Sequence, residues 1–306
     1  LGEIGTQASI GILTSNLSKS WGKHRREILR TLIRIPQDQG IEAVLELIGR
    51  SGIEKIVLQE VGVMTEAWSG IEDISLNKLE TPETELLLES LQNEVIDSLE
   101  RIFLLMKLLY PASAIQAASF NIISGTRSSL ARGMEILDNT VDLSMKQILL
   151  SVVDNRSIAD KLSILATIHP YQPLSPIKRL QQLVDLSYCL SDWTLACCFH
   201  VARTQFWSLP AEAMLKGLEH PTGFVREAVI AYLQAASPRS LVKILPRLLK
   251  DRDPLVLAQA RAIFNYFQSN GKSILNLSDN SQEGNDVDIE IRAKMSGGKI
   301  LGYGES

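Results

Sequence analysis

Apolar residues recur along this chain at three- and four-residue spacing, and strand-like alternation is nearly absent before residue 270. The longest stripe is Leu88, Leu91, Val95, Leu99, Ile102, Met106 and Leu109. These steps keep one helical face and predict a helix from Pro82 to Leu109, with Thr81 as cap and Pro82 in the first turn. Shorter helices are predicted near 8–17, 23–35, 39–49, 52–66, 112–124, 128–138, 141–153, 157–168, 175–190, 193–207, 210–219, 223–236, 240–250 and 254–268. Breaks fall at Pro36, Pro111, Gly125, Pro170 to Pro176, Pro210, Pro221, Pro238 and Pro254. Residues 67–80 read as the longest internal loop.

The C-terminal half repeats itself. "LEHPTGFVREAVIAYL" from Leu218 aligns with "LKDRDPLVLAQARAIF" from Leu249, an offset of 31 residues that matches Val225 with Val256 and Ala231 with Ala262. A looser copy, "LSDWTLACCFHVA", starts at Leu190 and puts Leu195 30 residues before Val225. The units share punctuation: Asp253 caps and Pro254 opens the second helix, and Asp192–Trp193 plays the same part earlier. One helical hairpin cannot bury its own apolar face, whereas a stack of them makes a continuous core. The expectation is therefore an all-α chain, an α-solenoid of about seven helix pairs. Its organisation is 1–66 as helix pairs, 67–80 as loop, 81–269 as a solenoid opened by the long helix, and 270–306 as a disordered tail. That tail holds the apolar islands "ILNL" (274–277), "VDIEI" (287–291) and "KILGY" (299–303), with room for one short strand. "LGEIG" at the start reads as a helix end, so a longer parent protein is expected.

Period and punctuation over roughly 8–66 and 112–269 resemble HEAT repeats. A narrower likeness rests on "LERIFLLMKLLYP" (Leu99 to Pro111), "ARGMEILDN" (Ala131 to Asn139) and "DWTLACCFHVA" (Asp192 to Ala202). These resemble the HEAT-repeat region attached to bacterial, often cyanobacterial, transporters similar to the ADP/ATP carrier and major-facilitator proteins. That resemblance implies a soluble regulatory or scaffolding region at the cytoplasmic face of a membrane. Its partner would be another protein, a membrane domain of the same polypeptide, or an anionic membrane surface. The arginine such repeats place in the second helix is kept as Arg226 but replaced by Ala196 and Leu257. Two rivals stand beside it: a HEAT-like subunit of a lyase that attaches bilins, through the generic repeat alone, and a free cytoplasmic scaffold.

Composition narrows the chemistry. Apolar residues at 45%, charged at 22% and aromatic at 6% fit a folded helical protein, and a net charge of -4 gives no global basic field for nucleic acid. Ile102 to Ile123 carries one charge, Lys107, yet Pro111 divides it into two helices instead of one span. Cys189, Cys197 and Cys198 are too few and too close for a disulfide framework, which points to a reducing compartment and a cytoplasmic location. Cys197 and His200 share a helical face, but no C-x-x-C pair accompanies them, so core packing is the reading and no metal is expected. His169 and His220 precede prolines, and G-x-S-x-G, P-loop and H-E-x-x-H patterns are all missing. The expectation is a non-enzymatic binder without cofactor.

Two basic stripes remain. Lys23, Arg26, Arg30 and Arg34 share one helical face, and Arg239, Lys243, Arg247 and Lys250 share another. A solvated outer face is the simpler account; contact with anionic headgroups or an acidic protein surface is the functional one. Nucleic acid is disfavoured, because no aromatics interleave with the basic residues. Trp68, placed in the loop, is the candidate aromatic anchor, with Trp21 in a turn, while Trp193 and Trp207 are expected to brace repeat junctions.

Overall fold

A computed structural model describes residues 7–76, 80–142 and 144–269, and the regular structure among them is entirely helical. The helices are α1 (Gln7–Leu17), α2 (Gly22–Arg34), α3 (Gln39–Leu47), α4 (Gly49–Ser75), α5 (Pro82–Met106), α6 (Ala112–Ile123), α7 (Arg127–Thr140) and α8 (Lys146–Val153). There follow α9 (Ile158–Leu165), α10 (Pro176–Asp185), α11 (Asp192–Thr204), α12 (Ala211–Leu218), α13 (Gly223–Ala236), α14 (Pro238–Leu248) and α15 (Pro254–Ser269). The start at Leu1 and the tail 270–306, read above as a helix end and a disordered segment, lie outside the described residues.

Several breaks have a visible cause. The Ile102–Ile123 stretch is two helices, with Pro111 at the start of α6. Gly125 takes the left-handed conformation after α6 (φ 75), and Thr126 then caps α7 by accepting from the Ser129 amide at 3.2 Å. Thr81 caps α5 through the Thr84 amide, and Asp253 caps α15 through the amides of Leu255 and Val256. No helix among the described residues is long and apolar enough to cross a membrane.

The loop expected at 67–80 requires correction: α4 continues to Ser75. Its Val61–Gly70 stretch is covered on nearly every side, and Thr65, Ser69 and Gly70 are buried along with the aliphatics. A helix enclosed all round loses its amphipathic period, and small polar residues inside it imitate a loop. Thr65 and Ser69 satisfy their hydroxyls on the carbonyls of Val61 and Thr65, one turn back.

The described residues form two compact units. One comprises 7–76, 88–142, 144–179 and 188–191; the other comprises 80–87, 180–187 and 192–269. In the first, α2 and α3 pack on α1, α6 packs closely on α7, and α4 packs on α9. Buried ion pairs cluster around α4. Glu60 joins Arg25 of α2 at 2.5 Å and Arg101 of α5 at 2.8 Å, all three side chains being almost wholly enclosed. Asp73 accepts from the Arg179 guanidinium at 2.7 Å, the Tyr171 hydroxyl at 2.6 Å and the Leu174 amide at 3.1 Å.

In the second unit α11 packs on α13 and α13 on α15, with α12 and α14 also packed on α13. Burial there keeps the 31-residue register. Thr194, Val225 and Val256 are all 0% exposed, as are Cys198, Val229 and Ala260. The first-repeat alignment is thereby shifted by one residue: Thr194, not Leu195, is the equivalent of Val225. Hydrogen bonds join equivalent turns and helices. The Thr222 hydroxyl donates to Asp192 at 2.5 Å, and the Gln259 amide donates to Glu227 at 3.1 Å.

Candidate functional site

The two basic stripes meet different fates. Arg26 bonds to Asp97 at 3.0 Å and Arg30 bonds to Glu100 at 2.5 Å, so these two arginines of α2 are spent on holding α5. Lys23 and Arg34 lie exposed at the two ends of that stripe. It is therefore a packing face with exposed ends, and the expectation of a four-residue docking stripe there is corrected.

The stripe on α14 stays outside. Arg239, Lys243, Arg247 and Lys250 are all exposed, while Leu241, Ile244, Leu245 and Leu248 fill the opposite face. The segregation follows from sequence, since positions 239, 243, 247 and 250 share one helical side and 241, 245 and 248 the other. Arg247 reaches Glu219 at 3.4 Å, but both side chains are more than half exposed, so water and salt leave this pair with little net strength. Arg252 is also exposed, in the turn that follows.

Three recesses adjoin α14 within the second unit. A polar one of about 920 Å³ has Arg226, Arg247, Lys250 and Arg252 on its walls, with His220 and Asp251. Arg226 is not available there: it grips Asp251 with two bonds, at 3.0 and 2.6 Å, and donates to the His220 carbonyl. A second recess of about 390 Å³ is apolar, lined by Val242, Leu245, Pro246, Leu249, Phe264 and Phe267 with Gln268. A third, of about 520 Å³, lies at the end of α11 and includes Arg203, Phe206, Tyr232 and Arg239. Phe206 is 85% exposed and has φ 54, the left-handed position of a helix-ending turn in which the Trp207 amide returns to the Ala202 carbonyl. Glycine is usual at that position, so an exposed phenylalanine held there is strained.

The tryptophans are reassigned. Trp68 is 3% exposed, in the body of α4, with the Lys161 ammonium over its ring at 5.0 Å. A partner cannot reach it, and its role as an anchor is withdrawn. Trp193, expected to be a brace, is 53% exposed and meets Phe224 edge-on at 6.2 Å. Trp193, Phe224 and Leu255 stand 31 residues apart in turn, each exposed near the start of its helix. The 31-residue alignment already paired Phe224 with Leu255; the exposed side was not legible, because both readings place an apolar residue next to a buried one.

The thiols are enclosed and His169, His200 and His220 partly so, while His24 is exposed. Cys189, Cys197 and Cys198 are buried. Burial first, and then the carboxylates of Glu94, Glu66 and Glu60, push the Cys189 thiol up to about 12, far from a nucleophilic thiolate. Burial lowers His200, whereas a hydrogen bond from His169 to Glu66 at 2.7 Å raises that imidazole. Among the described residues no group of three or more His, Cys, Asp or Glu side chains is placed to hold a metal ion. Comparison with protein-family models, with curated proteins and with solved structures returns no match to this chain.

Proposed function

We propose that this chain is a HEAT-type helical-repeat docking module, without chemistry of its own, that holds an acidic protein segment along the outer face of α14. The observation that carries this reading is the row Arg239, Lys243, Arg247 and Lys250, exposed together beside a polar recess to which Arg252 adds a further positive charge. A chain with net charge -4 that nevertheless aligns Arg239, Lys243, Arg247 and Lys250 on one exposed side of α14 and the turn after it is arranged to attract a local anionic surface. The repeating burial register of α11, α13 and α15 and the bonds between equivalent turns support a solenoid, the architecture in which successive hairpins offer one extended binding face. Attachment to a transporter-like membrane protein is the setting that the sequence resemblance suggests. In that setting the partner is a cytoplasmic segment of the same assembly.

The test is direct binding. Fluorescence anisotropy would follow a synthetic peptide alternating Asp or Glu with Ile, with vesicles of phosphatidylcholine with and without phosphatidylserine run in parallel. The expected result is salt-sensitive binding of the peptide that falls by about tenfold or more in the variant Lys243→Glu, Arg247→Glu, Lys250→Glu. Equal binding by the wild type and the variant would overturn the proposal. Retention on phosphatidylserine vesicles alone would replace a protein partner with a membrane surface.

A further inference from the structure

The apolar recess on α14 has a particular pattern. Three of its lining residues are each followed at once by a cation: Val242 by Lys243, Pro246 by Arg247, and Leu249 by Lys250. On a helix this places a row of positive charge along one edge of an apolar trough. The opposite wall is Phe264 and Phe267 of α15, with Phe264 38% exposed. Pro246 has no N–H, so the Val242 carbonyl loses its usual helical donor at the floor of the same trough.

The chain itself carries the complement. Residues 286–291 read Asp-Val-Asp-Ile-Glu-Ile, with Val287, Ile289 and Ile291 alternating with Asp286, Asp288 and Glu290. In an extended segment that alternation presents three apolar side chains on one side and three carboxylates on the other. From Asp279 to Ile291 every charged residue is acidic: Asp279, Glu283, Asp286, Asp288 and Glu290. The connection is long enough, since α15 ends at Ser269 and the 18 residues to Val287 span up to about 60 Å when extended. The trough is lined by Phe264, Phe267 and Gln268, so it opens beside the point from which the segment departs.

We infer that Asp286–Ile291 of this chain seats on the α14–α15 trough, its apolar side chains against Val242, Leu249, Phe264 and Phe267 and its carboxylates along Lys243, Arg247 and Lys250. The segment is then a built-in competitor for the acidic partner, and the inference rests on the docking reading above in that both use the same cations. An external segment gains the face only by displacing the internal one, which lowers its apparent affinity by the fraction of time the trough is filled.

Disulfide trapping in the full-length chain tests this. Ile289→Cys is combined with Val242→Cys, and separately with Glu212→Cys on the exposed side of α12 as a control, at high dilution so that only one molecule takes part. The expected result is cross-linking of the 242 pair at least about tenfold faster than that of the 212 pair, a local-concentration effect. Adding Lys243→Glu, Arg247→Glu and Lys250→Glu should remove the preference, and further adding Asp286→Lys, Asp288→Lys and Glu290→Lys should restore it. Equal rates for the two pairs in the unreversed chain, or no recovery on the second reversal, would overturn the inference. The two proposals fail separately. Retention of acidic peptide with indiscriminate cross-linking removes only self-occupancy. Selective cross-linking with no peptide bound, even after Asp286→Ser, Asp288→Ser and Glu290→Ser, removes only the external partner.

Discussion

Glu60 lies between two arginines with no route to water. The Arg25 guanidinium is lowered from its ordinary range, first by burial, with Glu60 opposing the shift, and its ring neighbour Trp21 lies 4.6 Å away. Arg101 adds a bond to Ser98 at 2.7 Å. Taking away one partner from such a group strands the others, whereas replacing the whole group removes the desolvation cost as well. Glu60→Gln is therefore expected to destabilise the fold by about 3–5 kcal/mol in denaturant melts. The triple change Arg25→Met, Glu60→Leu, Arg101→Met should cost less than that single one; a triple variant less stable than Glu60→Gln would contradict this account. His169 behaves differently. Its hydrogen bond to Glu66 raises the imidazole above its ordinary value of about 6.5, so the pair stabilises fully below that pH and loses its contribution as pH rises through the raised value. Glu66→Gln should return the His169 titration, followed by NMR, towards 6.5 and remove that pH-dependent loss of stability. A titration unmoved by the substitution would rule out Glu66 as the cause.

At the scale of elements, the junction of α13 and α15 is set by a glycine and a cap. A Cβ on Gly223 would overlap the Asp253 carboxylate, which is the group that caps α15. Gly223→Ala must then push that carboxylate off the helix end, at about 1 kcal/mol, the usual value of an N-cap. Asp253→Ala should cost a similar amount. The informative measurement is the double-mutant cycle: once Asp253 is gone, Gly223→Ala has nothing to displace, so the two effects should fall well short of additive. Additive losses would show that the glycine is kept for another reason. The same logic explains why α2 is not a docking helix although its stripe reads like that of α14. The acids that neutralise it, Asp97 and Glu100, belong to a helix some 70 residues away in sequence.

At the scale of the whole molecule, charge placement outweighs total charge. Reversing Lys243, Arg247 and Lys250 touches only exposed positions, so the denaturation midpoint should correspond to a stability within about 0.5 kcal/mol per site of the wild type while acidic-peptide binding is lost. A large loss of stability would mean that the α14 face is structural after all, like the face of α2.

The sequence by itself determined where most helices begin, because caps and prolines act within one or two turns. It also determined the 31-residue register, since Leu218 and Leu249 belong to units of the same design. Tertiary structure decided everything that depends on what lies opposite. It enclosed the Val61–Gly70 stretch of α4 on nearly every side and so hid a helix that reads as a loop from residue 67. It drew Glu94, Ser98 and Arg101 inward, rotating the buried face of α5 away from the apolar stripe, of which Leu88 and Leu99 are only half-buried. It turned one basic stripe onto the acids of α5 and left the other exposed at the surface. A charge pattern states which face is polar, but only the neighbouring chain decides whether that face meets water or a carboxylate.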